Sequence, residues 1–172
     1  SFIDGWFRTG DAGKLVDGKH LYMTDRLKDL FKTSNGKYIA PQQIETILGG
    51  DVFIEQVAVI GNNRNFVTAI IAPNIEAIKG YAAQNNITYE LVDELMEHPQ
   101  ICKMMEERIA VLQKDMAPYE KIKKFRLIKR GFTIESGELT STLKLRRAVI
   151  LQNYAAMIEE MYNPVQGPLG GY

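Results

Sequence analysis

The apolar positions of this chain fall into runs whose period changes from segment to segment, and each change predicts an element. Lys14 to Thr24 alternates around Asp17-Gly18, the strongest short-range signal for a β-hairpin. Pro41 opens a segment in which Ile44, Ile47 and Leu48 share a helical face, and Gly49-Gly50 closes it, as expected of a short helix with proline in its first turn. Val57–Ile60 and Phe66–Ile71 are compact apolar runs separated by the polar turn Gly61–Asn65, and they predict two strands. Helical spacing returns at Ile75, Ile78 and Ala82, at Leu91 and Leu95, at Cys102, Met105, Ile109, Leu112 and Met116, and at Ala148, Leu151, Ala155, Ile158 and Tyr162. Between the last two helices, Lys124–Ile128 predicts one more strand. The pattern describes an α+β fold: a small sheet of about three strands covered by helices and preceded by an N-terminal β-hairpin lobe. Residues 163–172, with two prolines and three glycines, predict a loose tail.

Composition narrows the classes of partner. The 172 residues suffice for one well-packed domain with a small lobe attached. Lys+Arg 21 balances Asp+Glu 21, so overall charge points neither to nucleic acid nor to an anionic membrane. Cys102 has no partner for an internal disulfide, and a reducing cytoplasmic location is the expectation. No apolar run approaches the ~20 residues that span a bilayer, and no signal peptide pattern is present. Lys121–Arg130 carries six cations in ten residues. It could meet phosphates or an acidic membrane surface, the latter leaving peripheral membrane contact open. Its alternation with Phe125 and Leu127 favours the outer face of an edge strand, where lysine also discourages sheet-to-sheet pairing.

Three segments carry candidate chemistry. Gly5-Trp6-Phe7-Arg8-Thr9-Gly10-Asp11 and Asp25-Arg26-Leu27-Lys28-Asp29-Leu30-Phe31-Lys32 each set a charge at the end of a strand-like run near turn-forming glycines. That is how a sheet edge would receive a ligand bearing hydroxyls and phosphates. Asp11 could accept two hydrogen bonds from a vicinal diol, or cap a turn. Arg26 could meet such a ligand, or pair with Asp25 or Asp29 at the surface. The third segment is Leu139-Thr140-Ser141-Thr142-Leu143-Lys144-Leu145-Arg146-Arg147. Read plainly it is a basic helix start, but cations there oppose the helix dipole, which raises the question of an anionic partner. Metal and redox patterns are missing from the sequence: His20 and His98 lie far apart without an acid–base partner at recognisable spacing, and Cys102 fits the apolar stripe of its helix. Met96, Met104, Met105 and Met116 read as core filler. No zinc, Walker or dinucleotide-binding pattern appears.

Taken in order, the three segments resemble the motifs of the adenylate-forming ligase superfamily, which includes acyl-CoA synthetases, firefly luciferase and the adenylation domains of peptide synthetases. The first is similar to the GW-x-x-TGD motif, the second to the hinge motif and the loop after it, and the third to the catalytic-lysine motif in the T-x-T-x-K-x-x-R form of long-chain fatty acyl-CoA synthetases. Leu143 stands where many members have glycine, a replacement the fatty-acyl branch tolerates. Residues 81–118 also look like that branch, and the likeness runs from Gly5 to about Tyr162. The chain opens Ser-Phe-Ile-Asp directly on the first motif, so a piece of a longer protein is expected.

The resemblance implies a division of labour. Residues 1–24 would end an N-terminal domain, 25–32 would be a hinge, 33–162 a mobile C-terminal domain and 163–172 its tail. Asp11 would hold the ribose hydroxyls of ATP and then of the acyl-adenylate, and Arg26 would contact the ribose or the phosphate side. Lys28 would be the pivot for a domain rotation that lets one site run two half-reactions; a solvated lysine between two acids is the plain alternative. Lys32 and the loop to Gly36 would enter the site for thiol attack, with Gly36 admitting the pantetheine arm; a surface loop is the alternative. Lys144 would stabilise charge on the α-phosphate and the attacking carboxylate during adenylation. The implied enzyme is a long-chain-fatty-acid–CoA ligase using ATP, fatty acid and CoA, with Mg2+ whose ligands lie outside this chain, no nucleic acid partner and an undefined oligomeric state. Two rivals stay open: a fatty acyl-AMP ligase that loads an acyl carrier protein, and a non-catalytic α+β interaction module. By itself the chain is expected to fold and to be inactive.

Overall fold

A computed structural model describes residues 2–3, 6–7, 9–26 and 29–163. Two short strands, β1 (Phe2–Ile3) and β2 (Trp6–Phe7), pair antiparallel and precede the hairpin of β3 (Asp11–Val16) and β4 (His20–Arg26). The hairpin turns where expected, with Asp17 at φ 54° and Gly18 at φ 65°. Two successive left-handed residues make a turn whose twist matches the strands it joins. The ladder is longer than the alternation alone predicts, since it extends to the rung Asp11–Arg26 past a bulge at Ala12/Gly13.

A second, smaller hairpin follows, β5 (Phe31–Lys32) with β6 (Tyr38–Ile39), holding the loop 33–37 between its strands. Helix α1 (Pro41–Leu48) begins at the proline and ends where Gly49 donates its N–H to the Glu45 carbonyl at 2.8 Å. Ile44 and Leu48 are buried, whereas Ile47, expected on the same face, is 41% exposed.

The main sheet has the order β7 (Ile54–Ile60), β8 (Val67–Pro73), β9 (Ile122–Leu127), with β7–β8 antiparallel and β8–β9 parallel. The central strand is buried along its whole length. Strand alternation divides its side chains between two cores. Val67, Ala69 and Ile71 join Val57 and Val59 in one core with Ile44 and Leu48 of α1; Ile70 and Ala72 join Ala58 and Ile60 in the other.

The crossover from β8 to β9 contains α2 (Ile75–Gln84), α3 (Val92–Glu97) and α4 (Pro99–Leu112), and a connection of that length is what parallel pairing requires. The Asn74 side chain caps α2 by accepting from the Ala77 N–H at 3.2 Å. On α4 the inward stripe is Ile101, Met104, Met105 and Ile109; Cys102 is half-buried, and Met116 lies beyond the helix end. Met96, Met104 and Met105 do fill the core.

The last helical pattern departs from expectation. It forms two helices, α5 (Arg147–Asn153) and α6 (Ala155–Tyr162), broken at Tyr154. The residues facing the sheet are Ile150, Ile158 and Met161, with Tyr154 and Met157 against them. Ala148, Leu151 and Ala155 are exposed.

At each edge strand of the main sheet, one residue has its backbone groups met by side chains. At the β9 edge, the Gln113 amide accepts from the Ile122 N–H at 2.9 Å and donates to the Ile122 carbonyl at 3.2 Å. At the β7 edge, Glu45 accepts from the Val59 N–H at 2.9 Å and Arg147 donates to the Val59 carbonyl at 2.7 Å. The basic run 121–130 therefore includes an edge strand, as its alternation predicts, with Lys123 and Lys124 exposed along it.

Candidate functional site

Lys144 lies on a tight hairpin whose foot is buried and whose tip is exposed. After β9, the Gln56 amide clamps the Phe132 peptide, accepting from its N–H at 2.6 Å and donating to its carbonyl at 3.1 Å. A turn follows in which the Thr133 hydroxyl oxygen accepts from the Ser136 N–H at 3.1 Å and Gly137 takes φ 76°. Glu138 is then fully buried, with 0% of its surface exposed. Leu139 bridges antiparallel to Leu145. Within that bridge Thr140 N–H donates to the Lys144 carbonyl at 2.8 Å, and the Lys144 N–H donates to the Thr140 hydroxyl at 3.1 Å. Both the N–H and the carbonyl of Lys144 are thus held by Thr140. Its side chain is exposed, and among the described residues it meets no carboxylate.

The residue before it sits in a backbone conformation that favours glycine. Leu143 has φ 61° and is 69% exposed. A leucine in the left-handed region carries a strain of about 1–2 kcal/mol, which glycine would not.

Arg147 belongs to the scaffold. Its Nη1 donates to Glu45 Oε1 at 2.6 Å as well as to the Val59 carbonyl. The cation that stood against the α5 dipole in the sequence has an internal anion, so its charge gives no argument for a ligand. Lys144 and Arg146 stay exposed beside it.

Lys32 and Gly36 share the β5–β6 hairpin. Gly36 has φ 81° and donates its N–H to the Thr33 carbonyl at 2.9 Å. The loop is docked on the β7–β8 turn: Ser34 N–H donates to the Arg64 carbonyl at 3.0 Å, Ser34 Oγ to Asn65 Oδ1 at 2.7 Å, and Asn35 Nδ2 to the Asn65 carbonyl at 3.1 Å. The Lys32 ammonium lies 5.5 Å from the Tyr38 ring centroid, a cation–π contact.

Asp11 and Arg26 occupy one rung of the β3–β4 ladder, so two residues fifteen apart in sequence are brought opposite each other. The Asp11 N–H donates to the Thr9 hydroxyl at 3.2 Å, and Trp6 nearby is 80% exposed. Arg26 is described by its backbone. Lys28 lies outside the described residues.

The profile of the family described as AMP-binding enzyme C-terminal domain matches residues 28–166. The chain belongs to that family. Among its relatives, long-chain-fatty-acid–CoA ligase FadD15 of Mycobacterium tuberculosis is 34% identical over 164 residues, covering 95% of this chain and 27% of that protein. Human long-chain-fatty-acid–CoA ligase 1 is 32% identical over 166 residues, covering 95% of this chain and 24% of that protein. The chain thus spans about a quarter of the length of these relatives. Among solved structures, the adenylation domain of a carboxylate reductase from Mycobacterium chelonae superposes with TM-score 0.72 at 27% identity, over 92% of this chain and 23% of that one. The adenylation domain of the carboxylic acid reductase from Segniliparus rugosus, in complex with AMP and a co-purified carboxylic acid, gives 0.66 at 27% identity, over 92% and 24%. The α+β reading of the sequence is borne out by this likeness.

As an AMP-binding enzyme C-terminal domain, the chain offers a single cation on an ordered tip, a docked loop containing a left-handed glycine, and a hairpin rung with one carboxylate. Among the described residues no group of three or more His, Cys, Asp or Glu side chains could hold a metal ion. Cys102 is not an activated thiol, since burial pushes its pKa up. Among the described residues no helix is long and apolar enough to cross a membrane.

The residues that sequence reasoning missed are those that hold the site: Glu138, Gln56 and Asn65. For Glu138 there was a weak signal: Glu135 and Glu138, on either side of Ser136-Gly137, are the two acids in a segment that carries five cations from Lys129 to Arg147.

Proposed function

We propose that this chain is the mobile C-terminal part of a long-chain-fatty-acid–CoA ligase. Residues 33–162 would form the moving domain, residues 25–32 with Lys28 the hinge, and residues 1–24 the end of the partner domain. The parent enzyme would join a fatty acid carboxylate to the α-phosphorus of ATP, expelling pyrophosphate and leaving acyl-AMP. After rotation, the CoA sulfur would attack the acyl carbonyl carbon and AMP would leave.

The observation that carries this reading is the presentation of Lys144. An ammonium with its backbone fixed on both sides, exposed and without a carboxylate partner among the described residues, is suited to an anion supplied by another surface. At the α-phosphate it would stabilise the charge that grows as the carboxylate attacks, an effect larger in a closed site than in water. The loop Lys32–Gly36 supports the second step. Its glycine leaves room for a narrow thiol-bearing arm, and its docking on Arg64 and Asn65 keeps it from collapsing. Asp11 and Arg26, opposite each other on one rung, would receive the ribose. Exposed Leu15 and Leu21, paired on one rung of the hairpin, and Met23 two residues on lie on one face, the kind of apolar surface that a further domain covers.

The test uses the full-length enzyme and separates the two half-reactions. Lys144→Ala should slow acyl-AMP formation by about 10²–10³, while thioester formation from supplied acyl-AMP is nearly spared. Equal loss in both steps would refute the role. Offering CoA and an acyl carrier protein in parallel identifies the acceptor.

A further inference from the structure

The Lys144 hairpin is anchored by one buried acid. Glu138 Oε1 accepts from Arg130 Nη2 at 3.1 Å and from Asn153 Nδ2 at 3.0 Å, and Oε2 accepts from Arg130 Nη1 at 3.2 Å and Ser136 Oγ at 2.8 Å. The two oxygens therefore take four hydrogen bonds, two of them from a forked guanidinium. The Glu138 carbonyl also accepts from the Arg146 N–H at 2.7 Å. The consequence is geometric. Asn153 ends α5 and Arg146 precedes it, so one residue ties the hairpin's foot to both ends of the helix that follows the hairpin. Burial opposes ionisation of Glu138, but the bonds from Asn153, Ser136 and Arg130 outweigh it and hold the carboxyl below the usual carboxylate range.

Beyond this foot the turn is held by its own bonds, without packing. Ser141, Thr142, Leu143 and Lys144 are exposed, and the tip holds together through the Leu139–Leu145 bridge and the Thr140–Lys144 bonds. The backbone course that carries Lys144 accordingly starts from a foot fixed at Glu138.

We propose that Glu138 is a positioning residue for adenylation: with Arg130, Ser136 and Asn153 it fixes the foot of the Lys144 hairpin and so aims the lysine. This rests on the role proposed for Lys144. Glu138 touches no reactant. Its contribution is to keep the ammonium within a fraction of an ångström of the reacting phosphate, a displacement scale on which rates change steeply. A charge buried only to stabilise the domain would affect both half-reactions alike; a charge that aims Lys144 affects the first.

The experiment measures both half-reactions in the full-length enzyme for Glu138→Gln, Lys144→Ala and the double variant. Glu138→Gln should slow acyl-AMP formation by about 10- to 100-fold, chiefly in kcat, with thioester formation from supplied acyl-AMP within about 2-fold of normal. In the Lys144→Ala background, adding Glu138→Gln should cost no further factor beyond about 2, because the two act as one unit. Multiplicative loss in the double variant, or equal slowing of both half-reactions, overturns the proposal. Normal adenylation in Glu138→Gln beside a slow Lys144→Ala overturns it alone, whereas normal adenylation in Lys144→Ala removes the proposed role of the lysine and this inference with it. If Glu138→Gln does not fold, Ser136→Ala and Asn153→Ala each remove one bond to Glu138 and should each slow adenylation about 3- to 10-fold. Unchanged adenylation in both would be equally fatal.

Discussion

Replacing Gln113 by methionine tests how the sheet's basic edge is held. Gln113 is 8% exposed, and its amide meets both backbone groups of Ile122, itself 6% exposed. Methionine keeps nearly the same volume, so no cavity term enters, and the change isolates the hydrogen bonds. Each orphaned buried backbone group costs about 1–3 kcal/mol. Two of them give an upper figure near 6 kcal/mol, which local relaxation toward water at an edge reduces, so about 2–4 kcal/mol is expected. For a chain of this size 1 kcal/mol moves the melting temperature by about 2–4 °C, hence a fall of roughly 4–16 °C. Gln113→Glu, which keeps an acceptor for the N–H but loses the donor to the carbonyl, should fall between. The assay is chemical denaturation of the 172-residue chain, with hydrogen exchange at the Ile122 amide as the local readout. A loss under about 0.5 kcal/mol, with the Ile122 amide still protected, would refute the clamp.

Three other outcomes are expected. Asn65→Ala removes the bond from Ser34 that docks the loop 33–37, worth about 0.5–1.5 kcal/mol, so on the proposed role of that loop thioester formation in the full-length enzyme should slow about 2- to 12-fold with acyl-AMP formation unchanged; half-reaction rates decide it. Glu138 has a lowered pKa in the folded state, so its stabilisation is present above the ordinary glutamate value of about 4.3 and is lost as the pH falls through the folded value; acid unfolding of wild type against Glu138→Gln should show a shallower pH dependence in the variant below about pH 4.3. ATP or AMP titrated into this chain by calorimetry should bind no tighter than roughly millimolar, about −4 kcal/mol, if the rest of the cleft lies in another domain as proposed; micromolar affinity would show a complete nucleotide site here.

Elements governed by local chemistry were readable from the chain. Asp17-Gly18 and Pro41 with Gly49-Gly50 each force a backbone choice within a few residues, and each element turns or ends where those residues stand. Long-range organisation was less readable. The final apolar pattern satisfies a spacing of three and four in two registers, and the one that wins, Ile150, Tyr154, Met157, Ile158 and Met161, is chosen by contact with Phe132 and the sheet. No glycine or proline announces the break at Tyr154; its ring packs edge-on against Phe132 at 6.0 Å and its hydroxyl receives a bond from Arg130. Strands of two residues, β5 and β6, are too short to show a period at all. The same division applies to the site. Motif spacing pointed to Lys144 and Gly36, but Glu138 draws on partners eight and fifteen residues away, and the docking of Ser34 on Asn65 spans thirty-one. Side-chain networks of that kind leave no periodic trace.

Leu143 joins these two levels. At φ 61° it holds a conformation that glycine adopts freely and leucine resists, and it does so at an exposed tip where packing offers little return. Such strain persists only where the surroundings over-determine the backbone. Here they do: the Leu143 N–H donates to the Thr140 carbonyl at 2.9 Å, Thr140 and Lys144 exchange two further bonds, and the strands behind them are fixed by Glu138. A glycine would relieve the strain but would also widen the range of directions open to the next residue. With leucine, the turn that presents Lys144 has fewer alternatives. The departure from the common motif and the buried acid beneath it therefore act in the same sense, each narrowing where the ammonium can go.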